Sequence, residues 1–326
     1  MKIGVLGTGT IMETVTSTLV QMEQVECYAI ASRTQEKARQ MADKYGFQKA
    51  YGSYEALVSD PEVELIYVAT PHSRHYEDMM LCIQHGKPVL CEKSFTMNAP
   101  QAKKIRELSQ SLGVFAAEAI WPRYMPSRTI INRLLEEGII GKVHTLSANL
   151  SYVMDKNYRI TAPELAGGAL LDVGVYGINF ALMHFGDAIE RIDSSVQMTD
   201  TGVDGTESIT LHYRDGRMAV LHHSIYVRSD RKGIIHGDKG YLVVENINNP
   251  QSVSVYDTED RLLRHIDVPT QISGYEYEFE ECMAAIAAGK TQADSMPLEE
   301  SIKMMELMDS IRRQWGLVYP QERTDC

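Results

Sequence analysis

The sequence predicts two domains: an α/β domain over residues 1–121 with a doubly wound parallel sheet, then an α+β domain over 122–326 with a large, mostly antiparallel sheet. Three observations predict this. From residue 2 to about 118, short β-rich runs alternate with longer helical patterns, the order of a parallel sheet with crossover helices on both faces. After Trp121-Pro122-Arg123 the pattern turns to period-two alternation and strand pairs around tight turns. A chain of 326 residues also exceeds what one small core organises.

In the first domain the strand candidates are residues 2–6, 25–31, 65–69, 88–91 and 114–117. Between them the pattern is helical, as over 100–111, where Ala102, Ile105 and Leu108 recur at helical spacing. The second domain opens with a helix near 130–137. Over 142–153, Leu146, Ala148, Leu150 and Tyr152 then alternate with Thr145, Ser147, Asn149 and Ser151, as in a half-buried strand. Asp215-Gly216 marks a turn between strands at 207–213 and 218–224, and Asp238-Lys239-Gly240 precedes a strand at 241–244. Ile302, Met305, Met308, Ile311 and Trp315 place one apolar stripe on a helix over 298–315, which is expected to pack back on the first domain.

Composition removes several function classes. An apolar share of 44 % beside 23 % charged residues, with no repeat and no low-complexity tract, describes a globular chain. The net charge of -12 arises from 44 acids against 32 bases scattered along the chain, so no basic stripe suits nucleic acid. Cys27, Cys82, Cys91, Cys282 and Cys326 form an odd set with no C-x-x-C pair, which argues for free thiols in a reducing compartment and a cytoplasmic protein. The first residues enter a strand pattern directly, and no uncharged run reaches membrane-spanning length, so neither a signal peptide nor a membrane contact is expected.

Gly7-Thr8-Gly9-Thr10-Ile11-Met12 follows the first strand and opens a helix, the setting of a dinucleotide-binding loop. Glycine permits the tight turn and lets backbone N–H groups meet a pyrophosphate, to which the helix dipole adds. Met12 stands where a third small residue is usual, and the competing reading is a plain strand-to-helix turn. The second strand ends at Ser32-Arg33 with no carboxylate for a ribose 2′-hydroxyl. Ser32, Arg33 and, one turn on, Lys37 instead suit a 2′-phosphate, which favours NADP, with NAD the alternative. A capping Ser32 with a solvated Arg33 is the competing reading. Thr70, His72 and His75 open a helix at another strand end and are expected to line the nicotinamide pocket. The two histidines have no third ligand nearby, and His222-His223 point to opposite faces of a strand, so no metal is expected.

At Cys91-Glu92-Lys93-Ser94 the sequence resembles the family of glucose-fructose oxidoreductase, inositol dehydrogenase and MocA-type proteins, whose motif there is E-K-P. Ser94 replaces the proline and the lysine is retained. A second signature follows at Ala166-Gly167-Gly168-Ala169-Leu170-Leu171-Asp172-Val173-Gly174-Val175-Tyr176, in which helical spacing puts Asp172 and Tyr176 on one face. Most of the family has His at the last place. Tyr176 resembles the subgroup of glucose-fructose oxidoreductase, dimeric dihydrodiol dehydrogenase and NADP-dependent xylose dehydrogenase, as do residues 118–124 and Gly141-Lys142. The resemblance is firmest from Gly7 to Tyr176 and vague after about 245. It implies a Rossmann domain, a homodimer, and a hydride-transferring enzyme of carbohydrate metabolism acting on a sugar, polyol or dihydrodiol C–OH or C=O.

It further implies Lys93, Asp172 and Tyr176 as the catalytic set, and Glu92, Lys93, Trp121 and Arg123 beside the glycine loop in holding the cofactor. Free tyrosine, with a pKa near 10, needs a cation such as Lys93 to act as a base, and direct proton transfer by Lys93 is the alternative. Asp172 is expected to bond the substrate hydroxyl or hold Lys93, and Arg123 to touch cofactor or substrate. Substrate choice would rest on side chains presented by the second sheet, including Tyr158, Arg159, Tyr275 and Tyr277. The competing functions are an NAD-dependent inositol or polyol dehydrogenase and a non-catalytic nucleotide-sensing regulator on the same fold.

Overall fold

In the computed structural model of the chain, residues 1–323 are described, so Cys326 lies outside them. The chain divides into two compact units. The first joins Met1–Tyr124 to Gln271–Met305, and the second joins Met125–Thr270 to the chain from Glu306 onward. Sequence order assigns all of 122–326 to one domain. Residues 271–305 instead fold with the first unit, so Tyr275 and Tyr277 are not presented by the second sheet.

The first unit is built on a six-stranded sheet of β1 (Lys2–Leu6), β2 (Glu26–Ala31), β3 (Lys49–Tyr51), β4 (Leu65–Val68), β5 (Val89–Glu92) and β6 (Ala116–Ala119). Its order is β3-β2-β1-β4-β5-β6, with every pairing parallel. β4, β5 and β6 are buried throughout, as a sheet covered on both faces requires. Strand β3 escapes the apolar pattern because it is only three residues long. The crossover helices are α1 (Thr10–Leu19), α2 (Gln35–Tyr45), α3 (Tyr54–Val58), α4 (His72–Gln84) and α5 (Ala99–Leu112). Side chains cap α2, α3 and α5 at Thr34, Ser53 and Asn98, and glycines in the left-handed region, Gly46 and Gly113, end α2 and α5.

The second unit carries α6 (Pro126–Glu136), the short α7 (Tyr158–Thr161), α8 (Val175–Phe185) and eight strands: β7 (Val143–Ser151), β8 (Ile189–Met198), β9 (Asp204–Tyr213), β10 (Met218–Ser224), β11 (Gly233–Gly237), β12 (Gly240–Val244), β13 (Ser252–Asp257) and β14 (Leu262–Asp267). Their order is β14-β13-β12-β11-β7-β10-β9-β8, antiparallel except for β7 with β10. Alternate residues of β9 and β10 are buried beneath α8, which packs on β7 and β10. The helical stretch Pro163–Phe185 is long and apolar enough to cross a membrane, a length the sequence reading did not expect, and 94 % of its most apolar window is buried inside the fold, as in a core helix.

Helix α9 (Glu276–Ala287) lies in the first unit, and α10 (Leu298–Trp315) starts in the first unit and continues in the second. The α10 stripe read from sequence is a core face, with Ile302, Met305, Met308 and Ile311 at most 1 % exposed.

Candidate active site

The first unit gathers its candidates along one edge of the sheet, past the carboxyl ends of β1, β2, β4 and β5. After β1 the chain turns at Gly7, whose φ of +106° and N–H bond to the Ala31 carbonyl demand glycine. A side chain there would come within 2.6 Å of the Ala69 carbonyl oxygen. Gly9 is the N-cap of α1, which has no side-chain cap, and a Cβ on Gly9 would meet nothing within 4 Å. The amides that open α1, at Thr10 and Ile11, therefore begin a helix whose dipole and space both suit an anion. Met12 is fully buried on the core face of α1, so its size does not obstruct the loop.

At the end of β2, Ser32 is 7 % exposed with its hydroxyl 3.4 Å from that of Thr8. The cap of α2 is Thr34, which accepts from the Lys37 N–H, so the capping role weighed for Ser32 is ruled out. Arg33 and Lys37 are exposed on the same loop and first helical turn. Burial raises the Tyr54 phenol, and the positive charges of Arg33 and Arg74 oppose that rise.

Past β4 the candidates are buried, and Thr70 and His75 are hydrogen-bonded to neighbouring segments. Thr70 donates to Asp78 at 2.7 Å, and Arg74 reaches the other oxygen of Asp78 at 2.9 Å. His75 is fully buried, with Nε2 2.8 Å from the Thr70 carbonyl and Nδ1 2.8 Å from the Ser94 carbonyl. Its ring ties the loop after β4 to the loop after β5. His72, 3 % exposed, meets the His75 ring edge-on at 5.6 Å.

Lys93 follows the last residue of β5 and is half-buried. The Lys93–Ser94 peptide is cis although no proline follows. Glu92 is buried and accepts from the Tyr67 hydroxyl. Trp121 stacks on Tyr275 with ring centres 4.1 Å apart, and the buried Arg123 lies 3.4 Å from Glu300. Both side chains are buried, and these contacts lie within the first unit.

The second unit holds Asp172 and Tyr176. Ala166 and Gly168, at φ of 53° and 118°, reverse the chain, and the Tyr319 hydroxyl anchors the Gly167 carbonyl at 2.8 Å. Leu170–Gly174 then forms a π-helical turn that runs into α8. This wider turn, not the expected α-helix, separates the two residues, and both are 6 % exposed. Asp172 accepts from Arg159 at 2.9 Å, a partner the sequence reading did not assign to it. Tyr158 is 68 % exposed and bonds Glu164.

Sequence reasoning missed a buried ionisable cluster beneath this helix. Asp204 accepts the Leu170 N–H at 2.5 Å, and the His223 Nδ1 lies 2.8 Å from Glu207 Oε1. Burial and the neighbouring Glu207 push Asp204 up to about 7, burial drives Glu207 well above the usual carboxylate range, and burial lowers His223 to about 3. His222-His223 was the available signal, since one of two adjacent strand residues must face the core. His223 is fully buried and His222 exposed. The four described cysteines are free, and among the described residues no three His, Cys, Asp or Glu side chains are grouped to hold a metal ion. A cavity of about 330 Å³ on the second sheet is lined by Gln197, Thr206, His222, Ser224, Tyr226 and Val227.

Comparison with known proteins agrees with this architecture. The GFO/IDH/MocA oxidoreductase family with an NAD-binding Rossmann fold matches residues 1–119, and the GFO/IDH/MocA C-terminal domain matches residues 130–243. The chain is similar to the trans-1,2-dihydrobenzene-1,2-diol dehydrogenase of Xenopus tropicalis, at 35 % identity over 90 % of each chain. The human protein of the same name is 30 % identical over 99 % of each chain. Among solved structures, a 3-ketoreductase from Actinomadura kijaniata in complex with NADP and TDP-benzene superposes with a TM-score of 0.88 at 24 % identity, covering 96 % of this chain and 97 % of that one. An aldose-aldose oxidoreductase from Caulobacter crescentus gives 0.87 at 18 %, covering 98 % and 99 %.

Proposed function

We propose, for a chain that belongs to the GFO/IDH/MocA oxidoreductase family, the work of an NADP-dependent dehydrogenase that moves a hydride between nicotinamide and the C–OH or C=O carbon of a dihydrodiol, sugar or polyol. The observation that carries it is the single sheet edge on which the Gly7–Gly9 loop, Ser32-Arg33, Thr70 and Lys93 follow four adjacent strands. Between β1 and β4 the strand order reverses, which is where open α/β sheets bind dinucleotides. The residues fit the cofactor: the uncapped start of α1 suits the pyrophosphate, and β2 ends on Ser32 and Arg33 where a carboxylate would repel a 2′-phosphate.

When bound, the nicotinamide supplies the hydride acceptor or donor. The chain has to move the proton. Tyr176 is assigned that transfer, with its hydroxyl as base in alcohol oxidation and as acid in carbonyl reduction. Its phenolate needs stabilising at neutral pH, and the Lys93 ammonium is assigned to that task. Asp172, fixed by Arg159, is assigned to orient the reacting hydroxyl. Similarity to dihydrodiol dehydrogenases over nearly the whole chain favours a vicinal diol as substrate. The proposal extends to a cytosolic homodimer, supported by free thiols and by exposed Met198, Val220 and Val227 on the second unit; light scattering of the purified protein tests the dimer.

The decisive experiment screens NADP reduction against dihydrodiols, aldoses and inositols, with Tyr176→Phe and Lys93→Met beside the wild type. Each variant is expected to lose on the order of 10²–10⁴ in kcat while still binding NADPH. Turnover within a few-fold of wild type would remove the assigned roles. Tighter binding of NADH than NADPH, or an unchanged preference in Ser32→Asp with Arg33→Ala, would overturn the cofactor assignment.

A further inference from the structure

The cluster beneath α8 is too costly to be ordinary packing. Asp204, Glu207 and His223 are at most 1 % exposed, and burying ionisable groups is unfavourable unless each finds a partner. Three polar atoms of the cluster, Asp204 Oδ1, Glu207 Oε2 and His223 Nε2, have no partner among the described residues. One proton resolves the two carboxyl oxygens, because a protonated Glu207 donates from Oε2 to Asp204 and leaves Oε1 to accept from the His223 Nδ1–H, with Nε2 turned toward Gly177. His223 is then neutral. The groups facing Asp204 are the Leu170 N–H, Glu207, and the charges of Arg312 and the Tyr319 phenol, so the pair is tied to the helix above and to the chain's C-terminal segment.

What the cluster touches is backbone. A Cβ added at Gly168 would overlap Asp204 Oδ1, one at Gly174 would overlap Glu207 Oε1, and one at Gly177 would overlap His223 Nε2. Three glycines thus let the chain over residues 168–177 rest directly on three polar side chains. Gly174 and Gly177 flank Val175 and Tyr176. Two residues make about half a helical turn, so the contact at Gly174 bears on the side away from Asp172 and Tyr176. A π-turn is rare and common at functional sites, and here its first residue donates its N–H to Asp204.

We propose that Asp204, Glu207 and His223 are positioning residues: they hold the Leu170–Gly174 π-turn and the first turn of α8, and so fix the Asp172 carboxylate and the Tyr176 hydroxyl. The proposal rests on the roles assigned to Asp172 and Tyr176 above only for its kinetic consequence. Its structural content is the placement of the Tyr176 ring. Glu207→Gln keeps both a donor toward Asp204 and an acceptor for His223, whereas Glu207→Ala removes both.

The test uses the full chain labelled with tyrosine carrying ¹³C at Cζ, with the Tyr176 resonance assigned by its loss in Tyr176→Phe. In Glu207→Ala the Tyr176 resonance is expected to move while most other tyrosines keep theirs, and kcat is expected to fall at least tenfold with NADPH affinity unchanged. Glu207→Gln is expected to restore both. If Glu207→Ala does not fold, His223→Asn keeps a donor toward Glu207 but withdraws from Gly177, and it should move the same resonance. An unmoved Tyr176 resonance in a folded variant overturns the proposal, and so does a general shift of the tyrosines that Glu207→Gln fails to restore. Should Tyr176→Phe retain turnover, the catalytic assignment falls while the resonance still decides the positioning.

Discussion

In the first unit Gly7, Ser32, Thr70 and Lys93 each stand just past the end of a buried strand, whereas in the second unit Asp172 and Tyr176 ride a helix that rests on three buried ionisable side chains. The first arrangement is set by backbone. Parallel strands in register bring four loops to one edge whatever side chains those loops carry. The second is set by side chains, because the direction of α8 depends on Asp204, Glu207 and His223 keeping their hydrogen bonds and on glycine at the contacts. Substitutions far from any reacting atom should therefore be felt more sharply beneath α8 than around the glycine loop.

The strongest way to break this comparison is a pair of glycine replacements. Gly177→Ala drives a methyl into the buried, rigid His223 ring, and overpacking of this kind costs about 3 kcal/mol, or roughly 5–10 °C in Tm. Gly9→Ser adds a side chain in open space at an extended N-cap, where serine is a good cap, so Tm should stay within about 2 °C while NADPH binding weakens. Thermal melts of the two cofactor-free proteins check this. Equal losses would show that the two regions are supported alike.

A weaker effect separates the units by pH. Each contains a carboxyl that burial pushes up to about 7: Glu118 in the first, which accepts the Phe95 N–H, and Asp204 in the second. For Glu118 the unfolded chain ionises near its ordinary value of 4.5 while the fold retains the proton, so its contribution is fully present below pH 4.5 and is lost as pH rises to about 7. The slope is at most about 1.4 kcal/mol per pH unit. In the second unit Asp204 gives the same sign, but His223, lowered to about 3, gives the opposite one, with stability lost as pH falls below its ordinary 6.5 toward 3. Glu118→Gln should therefore gain on wild type steadily in melts from pH 5 to pH 7 and hold that gain at pH 8. A Tm difference that is constant across those pH values would mean that Glu118 titrates normally.

The same contrast explains what was legible in the sequence. The strands of the first unit announce themselves as apolar runs because both faces are covered, and the glycine loop is readable because backbone geometry demands it at Gly7. Lys49-Ala50-Tyr51 is too short to show a pattern. The second unit is legible where one strand face is buried, as over residues 142–153, and fades at β14, where Leu262 and Leu263 are both exposed. Asp204 and Glu207 read as ordinary polar strand positions, since burial of an acid depends on which helix lies over it. The return of residues 271–305 to the first unit was invisible for a related reason: apolar periodicity says that a helix is covered but not by which unit.

The smallest effect sharpens the comparison most directly, because it sits four residues beyond Ser94. Asn98 caps α5 by accepting the Gln101 N–H at 3.1 Å, and Asn98→Ala removes that acceptor. The Thr96 hydroxyl bond to the Asn98 carbonyl and the Met97 N–H bond to Gln101 Oε1 do not involve the lost side-chain oxygen. The cost should be that of one cap, about 1 kcal/mol or roughly 3 °C. If strand ends alone place Lys93, then kcat and NADPH affinity should stay within twofold of wild type despite the lower Tm. A larger fall in kcat would show that the Lys93 loop leans on the start of α5 through side chains, and the first unit would then resemble the second in how it holds its site.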